Sequence, residues 1–317
     1  MLNELEVKMS QTSLHITNGS NVTDVLKKFN FEGDMLTWHE MLCEGPTLKD
    51  FDTPKFFEIR QTFLENTYDV EYDIDSIKTE FNKLNDVSNY SQIILWFEYD
   101  LFCHINLIAA ISLIKQKGIK LPLYLVCSGR IEGEKDLKGL AQLSEKQLLK
   151  EFENKIKLNV DDIATAQKAW RIYCEEDHNL LKELIVRPSS FKYLSNCLKA
   201  HLRRFPDTRS GLNTLEYNTL KLIKEYKIKS RHHLLGYCLH YQGYYGFGDL
   251  QLERMIDRLH LFYDETEETL TLNRNGHLAL EHQKNFFKII DTNFRFGGVN
   301  KADYQYNKTE NKLIHTI

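Results

Sequence analysis

The stretch Ile93-Ile94-Leu95-Trp96-Phe97-Glu98-Tyr99-Asp100-Leu101-Phe102 decides how the first half of this chain is read. An unbroken apolar run that stops at a polar cluster fits a strand covered on both faces, the kind found inside a parallel sheet. The run gives out in two acids, and in such sheets ligands collect at the carboxyl ends of strands. Upstream, Leu14-His15-Ile16-Thr17 reads as another short strand, and it ends in the turn Asn18-Gly19-Ser20.

Working outward, Val22, Val25, Leu26 and Phe29 fall at helical spacing and predict a helix over residues 21–29. Residues 34–39 predict a strand, 54–65 and 74–84 helices, 106–117 a long helix and 122–128 a further strand. Strands alternating with helices imply right-handed crossovers and an α/β fold: a Rossmann-like, mostly parallel, three-layer N-terminal domain over residues 13–142.

The 317 residues are 42% hydrophobic and 27% charged, enough for a sizeable core and two domains. A net charge of −4 implies no global attraction to nucleic acid or an anionic membrane, so partners must be argued locally. The six cysteines are scattered without close metal-ligand spacing, which fits reduced thiols in the cytoplasm. No signal segment or membrane-length apolar run is expected.

The chemistry lies at the strand ends. Glu98 and Asp100 are the candidate acid and base, or the oxygen ligands of a divalent ion. Asp100 equally suits the N-cap of the next helix. On an alternating strand Glu98 shares a face with Trp96 and Asp100, so the carboxylates converge. His104 lies four residues past Asp100, where a carboxylate would orient the imidazole or raise its pKa, with a half-exposed helix-start histidine as the plain alternative. Asn18, Gly19 and Ser20 are the candidate anion contact or a simple strand-to-helix turn. His39, Glu40 and Glu44 follow the second strand, Asn106 the third, and Arg130 the fourth, where it is the nearby cation for a phosphate or carboxylate. No hydrolase elbow, zinc-protease helix or P-loop is present in the sequence, and the residues name no particular cofactor or metal.

These segments resemble a bacterial family known as domain of unknown function 1835. Its members open with a strand followed by a Gly-Asp/Ser turn, continue with Trp-x-Asp-x-Leu-x-x-Gly-Pro, and carry Leu-Trp-Phe-Glu-x-Asp-Leu-Phe. The matching stretches here are residues 15–20, Trp38-His39-Glu40-Met41-Leu42-Cys43-Glu44-Gly45-Pro46, and residues 95–102 with Asn106-Leu107 following. Glu40 stands where an Asp is usual, which keeps the charge and changes the reach. The resemblance implies an α/β N-terminal part and a helical C-terminal part, and it implies no activity.

Residues 143–206 read as a helical connecting region with Trp170 in its core. Helices over 214–226, 231–241 and 249–259, followed by a hairpin within 261–272, give a winged-helix-like region at 207–286. Arg203, Arg204 and Arg209 open a basic stretch that could contact phosphates, although acids in the third helix and in the hairpin argue against a DNA reader. Residues 287–317 form a tail with a glycine-interrupted hairpin. Three readings stay open: a binder of a small anionic or nucleotide-like ligand with hydrolase or transferase chemistry, a ligand-responsive nucleic-acid-binding regulator, and a non-catalytic interaction scaffold.

Overall fold

The computed structural model describes residues 12–290 and 293–316. It opens on β1 (Thr12–Asn18), α1 (Ser20–Lys28) and β2 (Asp34–Trp38), then α2 (Pro54–Tyr68), α3 (Ile74–Asn82) and β3 (Tyr90–Phe97). α4 (Leu101–Gln116), β4 (Leu123–Cys127), α5 (Glu145–Glu153) and β5 (Ile156–Lys157) follow. The five strands make one sheet in the order β2-β1-β3-β4-β5. All neighbours are parallel except β5, which runs antiparallel to β4. The chain is therefore mixed α/β with a mostly parallel sheet, as the alternation of patterns predicts.

Alternate residues of each strand feed opposite faces. Leu14, Ile16, Leu95, Phe97 and Leu125 enter a large core with α4, while Ile94, Trp96 and Val126 enter a smaller one with Val22 and Leu26 of α1 and Leu148 of α5. α4 is apolar all round, and residues 103–114 are buried without a break, because the helix lies between the sheet and the second half of the chain. Each fully buried Leu or Ile there contributes roughly 1.5–3 kcal/mol. The helix starts a turn before the sequence pattern suggests. Asp100 accepts the Cys103 N–H at 2.8 Å and caps it.

The second half comprises α6 (Val160–Cys174), α7 (Leu181–Val186), α8 (Leu194–Leu202), α9 (Thr214–Glu225), α10 (Arg231–Tyr241) and α11 (Asp249–Arg258). Then come an antiparallel pair, β6 (Tyr263–Glu265) and β7 (Leu270–Leu272), and α12 (Arg274–Leu280). Two further antiparallel pairs close the chain: β8 (Arg295–Phe296) with β9 (Val299–Asn300), and β10 (Tyr304–Asn307) with β11 (Lys312–His315). Both halves share the large core, which runs from Leu14 to Leu313 and holds Trp170 stacked 4.8 Å from Phe51.

The helical pattern expected from residue 143 is interrupted by β5, so the sheet takes its last strand from beyond residue 142. β5 is two residues long, exposed and at the sheet edge, and it carries no apolar alternation to betray it. Among the described residues, no helix is long and apolar enough to cross a membrane.

Candidate functional site

The strand order reverses between β1 and β3, and the carboxyl ends of these two strands lie side by side. β1 hands over to α1 through Gly19, whose φ of 88° is left-handed and open to a glycine at no cost. Asn18 is turned across the edge: its amide donates to Cys103 Sγ at 3.0 Å, and its carbonyl oxygen accepts from Asn106 Nδ2 at 2.8 Å. Asn106 also donates to the Glu40 carbonyl at 2.7 Å and accepts the Leu42 N–H at 3.2 Å. One buried asparagine thus ties β1, α4 and the loop after β2 together. Ser20 is exposed, and α1 has no side-chain cap.

Glu98 and Asp100 converge as the sequence predicts. With Cys103 they offer three ligand atoms within 4.8 Å of one another. Glu98 accepts the Leu140 N–H at 2.6 Å. Burial pushes its carboxyl up, and the N–H groups of Leu140 and Ala141 pull it back. Asp100 is pushed up to about 7 by burial, with the Glu98 charge adding to the effect. Neither carboxylate has a basic partner among the described residues.

The edge is roofed by the second half. Leu101 N–H donates to the Tyr244 carbonyl at 2.8 Å and Phe102 N–H to that of Tyr245 at 3.2 Å, so residues 244–246 lie along the start of α4. Gly246 has a φ of 68°, and a β-carbon there would overlap the Asp100 carboxylate. The aromatic and glycine-rich loop 241–248 is a cover over Asp100.

Several expected residues stand elsewhere. Trp96 does not face the edge with Glu98. β3 ends at Phe97, and the indole is buried in the α1 and α5 layer, donating to His15 Nδ1 at 2.9 Å and lying parallel to Phe152 at 5.6 Å. His104 is neither half-exposed nor oriented by a carboxylate: it is 1% exposed, and its Nδ1 lies 3.0 Å from the Asp100 main-chain carbonyl. Its pKa falls to about 4 because burial favours the neutral ring, which reverses the direction expected from the neighbouring acid. With Nδ1 donating, Nε2 is a buried acceptor without a partner. His39 and Arg130 are exposed, and Arg130 contributes its main-chain N–H to Tyr193 Oη at 2.8 Å.

Glu40 and Glu44 belong to a second polar cluster organised by Arg60, which sequence reading passed over. The Arg60 guanidinium is fully buried, pairs with Glu40 at 3.1 Å, and donates to the carbonyls of Met41, Glu44 and Pro46. Glu40 also accepts from Tyr72 Oη, and Glu44 accepts from Tyr68 Oη and, at 2.9 Å, from Gln251. Arg60 shares the apolar face of α2 with Phe56, Phe57 and Leu64, and a charge on such a face was the signal available.

The basic stretch divides. Arg204 is 2% exposed; its guanidinium donates to the Cys43 carbonyl at 2.6 Å and lies 4.0 Å from the Phe296 ring centre. Arg203 and Arg209 are exposed and line a cavity of about 290 Å³. All six cysteines are free, and burial pushes the Cys43 thiol up to about 12, away from nucleophile behaviour.

No protein-family model matches the chain, and no curated protein matches it. Among solved structures it is similar to the DNA-binding, cleavage and re-ligation domain of topoisomerase II from Plasmodium falciparum, at 14% identity and a TM-score of 0.47. The match covers 82% of this chain and 43% of that one, so the chain spans less than half of the longer structure. A likeness at that level fixes neither fold family nor activity.

Proposed function

We propose that this chain binds a small anionic, nucleotide-like ligand at the carboxyl edge between β1 and β3, through a divalent cation held by Glu98, Asp100 and Cys103. The observation that carries the reading is the cluster itself: a half-buried carboxylate, a buried one and a buried thiol within 4.8 Å, with no basic side chain paired to either acid among the described residues. Holding two adjacent acids unpaired, one of them buried, is costly, and a cation removes that cost. Carboxylate oxygens with a thiolate suit a borderline ion such as zinc, and the two carboxylates by themselves suit a hard ion such as manganese. The cation would polarise a phosphoryl or carbonyl group of the ligand, which is the basis for hydrolase or transferase chemistry here. The start of α1 behind Gly19 adds main-chain donors and a partial positive charge for an anion.

The finer fold reading supports this placement. A Rossmann-like sheet binds ligands where its strand order reverses, and the resemblance to domain of unknown function 1835 rests on the segments that meet there. We read α9 to β7 as winged-helix-like and as a packing unit. Arg204 faces inward, α11 buries Leu252, Met255 and Ile256, and the hairpin carries Asp264, Glu265, Glu267 and Glu268. Those features disfavour a nucleic-acid-binding role.

Thermal unfolding with Mn²⁺ or Zn²⁺, alone and with nucleotides or sugar phosphates, tests the reading. A ligand at about 100 times its Kd adds roughly 2.7 kcal/mol. The proposal requires a stabilisation that Glu98→Gln and Asp100→Asn abolish while folding normally. A cation-dependent response retained in both variants, or none in the wild type, would refute it.

A further inference from the structure

The cavity of about 290 Å³ in the second half shares no residue with the edge of the sheet. Its walls are held from several sides. Residues 206–212 turn back on themselves through Asp207 N–H to the Leu212 carbonyl at 2.9 Å and Gly211 N–H to the Asp207 carbonyl at 2.8 Å. β10 is laced to the same loop, with Tyr306 N–H donating to the Pro206 carbonyl at 2.7 Å and Thr208 N–H to the Tyr306 carbonyl at 3.1 Å. On another side Tyr217 of α9 stacks on His282, the planes 9° apart, and Tyr217 Oη is anchored on the Leu280 carbonyl. Buried Phe205 and Leu212 supply apolar lining. The concavity is thus built on paired backbone and stacked rings rather than on loose side chains.

Its charge is unbalanced. Arg203, Arg209 and Lys308 line it, against the single carboxylate of Asp207. Asp207 is already engaged, accepting the Arg209 N–H at 2.9 Å and lying 3.5 Å from its guanidinium. Arg203 and Lys308 pair with no carboxylate among the described residues. Burial and the neighbouring Arg209 hold His282 below its usual pKa, so it adds no charge at neutral pH. Three cations against one carboxylate leave a double positive excess. A phosphate monoester, with a charge of about −1.5 to −2 at pH 7, offsets that excess, and a carboxylate offsets half of it. The cavity is near the lower end of the range for small-molecule sites, roughly 300–1,000 Å³, and is too small for a dinucleotide cofactor.

We infer that this cavity binds a phosphate monoester of a small polar molecule, such as a sugar phosphate or a nucleoside monophosphate, with the phosphate between Arg203, Arg209 and Lys308. The remainder of the ligand lies against Tyr217 and Leu212, with the Thr214 and Asn218 side chains at its rim. The inference stands apart from the reading of the sheet edge, and the test separates them.

Calorimetric titration of the full chain with inorganic phosphate, ribose 5-phosphate and AMP is the experiment, with a single-stranded oligonucleotide as the competing probe. Saturable binding of at least one monoester is expected. Arg203→Gln and Lys308→Gln, both at exposed positions, should each weaken it about ten- to a hundredfold, the loss of one charge-assisted contact. Chelator is present throughout, which removes any cation-dependent binding at the sheet edge, so the monoester binding that remains is read at this cavity. Absence of binding by every monoester, or affinity indifferent to both substitutions, overturns the inference. Binding of the oligonucleotide alone, falling steeply with salt, also overturns it and would make this face a nucleic-acid contact. Loss of monoester binding in Asp100→Asn with both cation variants unaffected would place the phosphate at the sheet edge and overturn this site.

Discussion

Replacing Asp100 with Asn keeps an oxygen able to cap α4 at the Cys103 N–H and removes a buried charge. Asp100 is 6% exposed, and burial raises its pKa from 3.8 to about 7. In the unfolded chain the carboxyl returns to its ordinary range. Between about pH 4 and pH 7 the folded state therefore keeps a proton that the unfolded state has released. The stability this group contributes is complete below the unfolded pKa and is lost as pH rises through the folded one. At about 1.36 kcal/mol per pH unit, the interval from 3.8 to about 7 corresponds to roughly 4 kcal/mol. Glu98 titrates in the same direction, so the two acids share the transition. Urea unfolding of wild type and Asp100→Asn, with chelator present, reads the effect directly. The variant should gain on the wild type by roughly 2–3 kcal/mol between about pH 5 and pH 8. A difference that does not change with pH, or a variant less stable than wild type at the upper pH, would refute the assignment of an unpaired buried acid.

Gly246→Ala forces a β-carbon onto the Asp100 carboxylate at a left-handed position, whereas Gly243→Ala, with a φ of 69°, meets open space. The second should cost about 1–2 kcal/mol and the first clearly more in denaturant melts; equal costs would mean the loop does not press on the acid. Arg60→Ala leaves Glu40 buried without its partner and should lose roughly 3–5 kcal/mol, so a loss below about 1 kcal/mol would contradict the closed geometry of that cluster. His104, with its pKa lowered to about 4, contributes stability that is present above its unfolded value of 6.5 and lost as pH falls toward the folded one. Nitrogen chemical shifts should show a neutral ring with the proton on Nδ1 at pH 6; a charged ring there would overturn the assignment.

The four parallel strands of the sheet were legible because the inner ones are covered on both faces, whereas the exposed edge strand β5 was not. Residues 93–97 and 123–127 can be apolar without a break only inside a layered fold, and their partners follow from the alternation with helices. The meeting of Glu98 with Asp100 was legible for a related reason, since both follow a strand whose end was visible. What sequence spacing could not carry was direction in three dimensions. Trp96 looked like part of a site because it adjoins two acids, yet the strand ends at Phe97 and the indole stays in the α1 and α5 layer, against Phe152. His104 sits at a spacing that suggests a carboxylate partner, but capping turns the Asp100 side chain to the Cys103 N–H and leaves the imidazole its main-chain carbonyl. Arg204 lies in a run of basic residues and is set apart from Arg203 and Arg209 by contacts with Cys43 and Phe296, both far away in the chain. The cover at Gly246 depends on a similarly long-range meeting with Asp100.

Calorimetric titration of wild type and Asp100→Asn with Mn²⁺ and with Zn²⁺, in two buffers of different ionisation enthalpy, tests the central claim most directly. At pH 6 the wild type should take up one cation per chain and release protons, because burial raises Asp100 to about 7 and holds the Cys103 thiol well above its usual value, so both carry protons that the ion displaces. The variant should bind far more weakly. Failure of the wild type to bind either ion, or equal binding by the two proteins without proton release, would contradict a cation-dependent site at the carboxyl edge of the sheet.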